Sequence, residues 1–288
     1  MVAVVSSANL GQPAHFTYLK SKLLQEHRGG RRDKEASCQG FLDFVALSII
    51  CAGCVFGQQG SFAQVAYGGG WQTTFTLVNN SERLLAYVTL NFFGDDGSPL
   101  NVPIQDAGTT TSYTVSIVPG GLQSVVVSSP NPNSSQGWAS MNVSGGSVRG
   151  QASFRWLLPN KTISEAVIPL STSGPVVCVV PSEASGVILV PFDNTADTYA
   201  TSVALANTTT GFLSVPIEFV DQSNKLLVAD TLNLTPRQHV AFVMPEAYHA
   251  LAGKKGTLRI HETTLKLTVL GLLSNSTNSI TTIIPFTN

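Results

Sequence analysis

Residues 137 to 143, GWASMNV, combine side-chain types and a spacing that suit ligand recognition. Apolar and polar residues alternate here, as in a strand that buries one face. If the apolar set is buried, the residues that point outward are Trp138, Ser140 and Asn142. An outward indole can stack on a sugar ring or a protein surface, while hydroxyl and amide groups supply hydrogen bonds. We therefore predict a binding surface here for polysaccharide or for another surface protein.

A second tryptophan, Trp71, follows three glycines in GGGWQTTFTLVN. It could be a ligand platform on a flexible loop or the first core residue of a strand. Counting by twos from Trp71 reaches Thr73, Phe75 and Leu77, which form a predominantly apolar face. The alternation therefore predicts that Trp71 is largely buried beside Phe75 and that the glycines serve a turn.

Titratable residues give little sign of catalysis or metal binding. His239, His249 and His261 lie on different predicted elements with no metal-ligand spacing, so we interpret them as surface histidines. The DDG at residues 95 to 97 lacks the remaining ligands of an EF-hand loop and is interpreted as a turn. G-x-S-x-G, P-loop and H-E-x-x-H motifs are absent. We expect no catalytic residue, metal or cofactor, and a secreted hydrolase of undescribed type is the alternative.

Composition narrows the class of partner. The chain has 288 residues, of which 43% are hydrophobic and only 11% are charged, and its formal net charge is -1. So small a net charge creates no field that would gather nucleic acid. The expected partners are therefore polysaccharides or surface proteins, and nucleic acid is disfavoured.

An internal repeat organises most of the chain. TTFTLVNN at residues 73 to 80 matches TSVALANT at 201 to 208, and residues 86 to 100 match 213 to 227. Two further matches pair residues 117 to 127 with 234 to 244, and 164 to 170 with 280 to 286. Four blocks recur in the same order, which indicates two complete domains of one type.

Each copy shows the period of two that is typical of half-buried antiparallel strands, with Gly, Pro, Asn and Asp at the joints. We therefore predict an all-β protein of two tandem antiparallel β-sandwich domains of Ig-like type. The predicted boundaries are 58 to 173 for the first domain, 174 to 186 for the linker and 187 to 288 for the second.

Residues 1 to 57 have the layout of a basic leader followed by a signal peptide. Basic residues cluster between 20 and 34, and a short apolar run occupies 44 to 56. We predict that cleavage leaves a mature chain that begins near Gln58 and is secreted or lies at the cell surface or in the periplasm. The alternative is an anchor, either through residues 44 to 56 or through lipidation of Cys54, whose preceding residues resemble a lipobox.

Several motifs occur together between residues 62 and 288: Phe-Ala-x-Val, GGGWQTTFTLVN, LNFFGDDGSPL, VPGG, GWA, GQASFR and EAVIPL. As a set they resemble a group of uncharacterised bacterial secreted proteins built from one or two β-sandwich domains. The resemblance implies export and fold, and it carries no activity or site. Together with the missing catalytic motifs, it predicts a non-catalytic extracytoplasmic module with a binding or a structural role.

Overall fold

A computed structural model describes residues 57–173, 186–195, 199–262 and 265–287. Within these ranges the protein is all-β, and its strands are antiparallel. Residues 1–56 of the predicted leader and signal peptide, including Cys54, and residues 174–185 of the predicted linker lie outside the described residues. No helix among the described residues is long and apolar enough to cross a membrane.

Residues 58–173, the N-terminal half, form two sheets. The strands are β1 Gln58–Tyr67, β2 Trp71–Asn79, β3 Ala86–Phe93, β4 Val102–Ile104, β5 Gly108–Thr110, β6 Ser112–Ile117, β7 Leu122–Ser128, β8 Ser135–Gly145, β9 Val148–Leu157, β10 Ile163–Pro169 and β11 Ser171–Ser173. Sheet 1 has the order β11-β1-β8-β3-β6, and sheet 2 has the order β10-β9-β2-β7-β4-β5.

Residues 187–287, the C-terminal half, form sheets 3 and 4. The strands are β12 Ile188–Asp193, β13 Tyr199–Asn207, β14 Leu213–Asp221, β15 Leu226–Leu234, β16 His239–Val243, β17 Lys255–Ile260, β18 Leu267–Asn275, β19 Ile280–Ile283 and β20 Phe286–Thr287. A short α-helix, α1 Met244–Ala247, and a 3-10 turn, His249–Leu251, join β16 to β17. Sheet 3 has the order β15-β14-β17-β12-β20, and sheet 4 has the order β16-β13-β18-β19.

The core of each half lies between its two sheets, in a β-sandwich-like arrangement. One hydrophobic cluster draws on β1, β3 and β8 of sheet 1 and on β2, β7 and β9 of sheet 2, and it includes Phe75 and Leu77. A second cluster joins sheets 3 and 4. The first cluster also takes in Ala204, Leu270 and Ile280 of the C-terminal half, so the two halves share apolar contacts.

Sheets 1 and 3 have the same strand order when strands are matched by the sequence blocks that recur, whereas sheet 2 has six strands and sheet 4 has four. Sheet 1 read as β11-β1-β8-β3-β6 corresponds to sheet 3 read as β20-β12-β17-β14-β15. The pairing register agrees as well: Phe92 lies opposite Ala139, and the matched Phe219 lies opposite Leu258. A slip of one residue would turn every side chain of a strand to the other face of the sheet. Because the register agrees, equivalent positions of these strands face the core in both halves.

A buried threonine ties the two sheets together in each half. The hydroxyl of Thr73 accepts a hydrogen bond from the backbone N–H of Ala66 and donates one to the same residue's carbonyl, at 2.9 and 2.8 Å. Thr201 makes the same pair of bonds with the backbone of Asp193, at 2.9 and 3.1 Å. Both threonines are fully buried. The Thr73 hydroxyl therefore supplies partners to the backbone groups of Ala66, which would otherwise be buried without them, and Thr201 does the same for partly buried groups of Asp193.

We expect Thr73→Val to lower the free energy of unfolding by about 1 to 3 kcal/mol, because it leaves the buried N–H and C=O of Ala66 unpaired. Thr201→Val should lower it similarly. Thr73→Ser, which keeps the hydroxyl, should lower it by less. Urea denaturation of the three variants tests this, and a Thr73→Val variant as stable as wild type would contradict it.

Candidate functional site

Trp138 has the predicted register but not the predicted exposure. It points away from the core of its own half, opposite Phe93 in the β3–β8 pairing. Only 1% of its surface is exposed, so the prediction of an outward platform is wrong. Its ring stacks on Phe93 with centroids 4.8 Å apart, and its Nε1 donates to the carbonyl of Arg237 at 2.7 Å. The C-terminal half covers this tryptophan, which therefore belongs to the contact between the halves.

Ser140 and Asn142, the other two predicted binding residues, do reach an open surface. Ser140 is partly exposed and Asn142 is exposed, and both line a cavity of about 480 Å³ on the outer face of sheet 1. We call this cavity the polar cleft. Its polar lining includes Gln59, Ser61, Asn91, Ser112, Ser140 and Asn142. On the side of the C-terminal half it is bounded by Thr208, Thr209, Arg237 and Leu265. The cleft can thus offer many neutral hydrogen-bonding groups to a ligand.

Trp71 is partly buried and packs against the core of the N-terminal half, in agreement with the prediction of a core residue, and Phe75 and Leu77 are fully buried as predicted. Its ring lies parallel to that of Trp156 at 5.0 Å and meets Phe154 edge-on at 5.3 Å. Trp71 keeps some exposure because it lies at the end of the β2–β9 pairing, opposite Trp156.

These aromatic rings form one wall of a second cavity, of about 340 Å³, between the two halves. We call it the tryptophan pocket. Trp71, Phe154, Trp156 and Phe242 supply its aromatic surface. The polar groups around it include Gln64, Ser134, Gln136, Ser202, Glu246 and Asn278. Aromatic faces beside a few converging polar groups are the usual lining of a ligand site.

A ring of four hydrogen-bonded side chains stands at the junction of the halves. His239 binds Asp95 through Nδ1 at 2.7 Å and Gln64 through Nε2 at 2.9 Å. Gln136 donates to Asp95 at 3.0 Å, and Gln64 donates to Gln136 at 3.4 Å, which closes the ring. Three of these side chains, Asp95, Gln64 and Gln136, belong to the N-terminal half, and His239 belongs to the C-terminal half. The ring therefore links the two halves by hydrogen bonds.

The interpretation of His239 as a surface histidine is wrong, because only 1% of its surface is exposed. His249 and His261 are exposed, as predicted. The turn predicted at residues 95 to 97 is confirmed, but no local pattern indicated that Asp95 would reach His239. These two residues lie 144 positions apart, and only the docking of the halves brings them together.

The Asp95–His239 pair resembles the acid and base of a catalytic triad, but its second nitrogen has no nucleophile. In a triad the free ring nitrogen faces a serine, cysteine or threonine. Here Nε2 of His239 contacts the amide oxygen of Gln64, and the imidazole is buried. In this geometry the pair has a structural role, because it forms a hydrogen bond between the two halves.

Acidic groups with lowered pKa values lie away from both cavities. A hydrogen bond from the Ser98 hydroxyl lowers the pKa of Asp96 from its usual value. The Lys255 side chain, followed by the Thr195 hydroxyl, lowers the pKa of Asp193 to about 2. Asp96 lies in the turn at residues 95 to 97, where such bonds hold the chain reversal. In the part of the chain that the structure describes, no group of three or more His, Cys, Asp or Glu residues could hold a metal ion.

Trp156 was missed by the reasoning from sequence, although its alternation with Phe154 on β9 was visible. Only the register of β2 against β9 places it over Trp71. Comparison with known proteins found no matching family model, no matching curated protein and no matching solved structure.

Proposed function

We propose that this protein is a non-catalytic extracytoplasmic module that binds polysaccharide in the tryptophan pocket. The observation that carries the proposal is the partly exposed, parallel pair Trp71 and Trp156 beside amide and hydroxyl groups. Sugar rings present apolar C–H faces and polar hydroxyl edges. An aromatic wall with polar groups at its margin matches both parts of that surface.

The proposed architecture is two tandem Ig-like sandwich domains, residues 58 to 173 and 187 to 288, joined by a linker at 174 to 186 and descended from one repeated unit. Support comes from the common strand order and from Thr73 and Thr201, which make equivalent bonds. Export, with cleavage near Gln58, is supported by the layout of residues 1 to 57 and by the low charge.

A secreted hydrolase is the less supported function. Glu246 is the only carboxylate among the described residues that line the tryptophan pocket, and no second acid lies there to act with it. The buried His239 is occupied at both nitrogens. A non-catalytic binding role needs neither a paired acid and base nor an activated nucleophile.

We expect Trp156→Ala to weaken binding of a neutral polysaccharide at least tenfold, because it removes half of the aromatic wall. Isothermal titration calorimetry against soluble β-glucan, xylan, mannan and galactan measures this on the purified protein. Trp156→Phe keeps an aromatic face and should retain most of the affinity. Phe212→Ala removes an aromatic ring that is 83% exposed and lines neither cavity, so it is the matched control.

Two results would refute the proposal. One is that none of the four polysaccharides binds the wild-type protein. The other is that Trp156→Ala binds as tightly as Phe212→Ala while circular dichroism shows that both variants are folded.

A further inference from the structure

Arg237 adopts a backbone conformation that its counterpart in the other half achieves with glycine. Its φ is 58°, in the left-handed region, directly after Pro236. In the repeat, Pro119 matches Pro236, and the residue after Pro119 is Gly120, with a φ of 67°. Glycine enters this region freely, whereas a Cβ comes too close to the backbone there and makes the conformation unfavourable. An arginine is thus held where the backbone favours glycine.

Two contacts with the N-terminal half fix this arginine in place. Its carbonyl accepts the Nε1–H of Trp138 at 2.7 Å, which orients the backbone. Its guanidinium lies over the ring of Phe93, 4.8 Å from the centroid. Phe93, Trp138 and Arg237 all line the polar cleft. The residue is exposed, and its cation lies at the cleft wall over the face of Phe93.

The charge of Arg237 has no counterion in the part of the chain that the structure describes. It forms no ion pair with any described residue, and the described lining of the polar cleft contains no other charged side chain. An unpaired guanidinium at the wall of a cleft is suited to a carboxylate, which it can bind through two parallel N–H···O bonds.

The rest of the cleft has spare hydrogen-bonding groups for a polyhydroxylated ligand. Some of its side chains bind one another: Ser112 donates to Asn91 at 2.9 Å, and Asn91 donates to Ser140 at 3.4 Å. Others make no side-chain hydrogen bond to a described residue, and these include Gln59, Ser61 and Asn142. Their amide and hydroxyl groups remain available to donate to, and accept from, ring hydroxyls.

We infer that the polar cleft binds a saccharide that carries a carboxylate, a uronic acid, with Arg237 holding the carboxylate and the neutral side chains holding the hydroxyls. This is a second site, separate from the tryptophan pocket. It shares with the proposed function only the premise that the ligands are saccharides. The cavity volume of about 480 Å³ lies within the range of ligand sites.

The test compares hexamers of galacturonate, mannuronate and guluronate with a neutral galactose hexamer by titration calorimetry. At least one uronate hexamer should bind wild type tenfold or more tightly than the neutral hexamer, and its affinity should fall as sodium chloride is raised. Arg237→Gln should remove this tenfold advantage and most of the salt dependence. Arg149→Gln removes the same charge from an exposed residue that lines neither cavity, and it should leave both unchanged.

Arg237→Gly places at this turn the residue found in the matched turn, Gly120, and removes the unfavourable left-handed conformation of a residue with a Cβ. We expect this variant to stay folded and to lose the preference for uronate. The inference is overturned if no uronate hexamer binds better than the neutral one, or if Arg237→Gln weakens uronate binding no more than Arg149→Gln does. Trp156→Ala separates the two proposals, because it should weaken neutral polysaccharide and spare uronate. Loss of both ligands together in folded Trp156→Ala would overturn the assignment of separate sites.

Discussion

Replacing Trp138 by alanine is expected to lower the free energy of unfolding by about 3 to 5 kcal/mol, the range for removal of a large buried aromatic side chain. The indole is 1% exposed and stacks on Phe93, so its removal leaves a cavity between the halves. It also leaves the carbonyl of Arg237 without the Nε1–H that it accepts. Urea denaturation followed by circular dichroism measures the loss.

Trp71→Ala is the matched comparison, since it deletes a partly buried indole of the same size and should destabilise the protein less. Trp138→Phe keeps a stacking ring and loses the hydrogen bond, so its effect should lie between wild type and Trp138→Ala. If Trp71→Ala proves the more damaging of the two alanine variants, the C-terminal half does not cover Trp138 in solution.

Asn79→Ala is expected to lower the free energy of unfolding by about 3 kcal/mol, because the buried amide of Asn79 makes several hydrogen bonds to backbone groups. Asn79 is fully buried at the end of β2. Its amide nitrogen donates to the carbonyls of Leu84 and Ile117 at 2.7 and 2.9 Å, and its oxygen accepts the N–H of Ser81 at 3.0 Å. Alanine leaves these backbone groups without a partner.

Asn207 occupies the matched position and also carries a fully buried side chain. It donates to the carbonyls of Gly211 and Thr235 at 2.8 and 2.9 Å and accepts from Thr209. Asn207→Ala should therefore have an effect of similar size. Asn80→Ala, at an exposed neighbour, should change the free energy of unfolding by less than about 0.5 kcal/mol. A small effect of both buried substitutions would mean that water replaces the amide.

Local pattern was enough to predict which face of a strand each residue occupies. Phe75 and Leu77 are buried, and Trp138 points away from the core of its own half, as the alternation predicted. The reason is that side chains alternate across a strand with a period of two, whatever the rest of the chain does. The turn at residues 95 to 97 follows from local backbone preferences in the same way.

The alternation of side chains predicted only part of the two candidate sites. Ser140 and Asn142 were predicted as outward polar residues, and they line the polar cleft. The alternation did not predict a role for Trp156 or Arg237, because each acquires its role from contacts with residues far away in the sequence. Trp156 gains its role from the register of β9 against β2, and Arg237 from a turn that faces Phe93 of the other half.

The amino-acid sequence by itself determined the all-β architecture and the inner and outer face of the main strands, because both depend on side-chain period and turn residues along a short stretch of chain. Only the tertiary structure decided whether an outer face meets water. Trp138 and His239 lie on surfaces that would be exposed on an isolated half, and docking of the other half buries both. Burial there depends on contacts between residues about 100 or more positions apart, which no local period encodes.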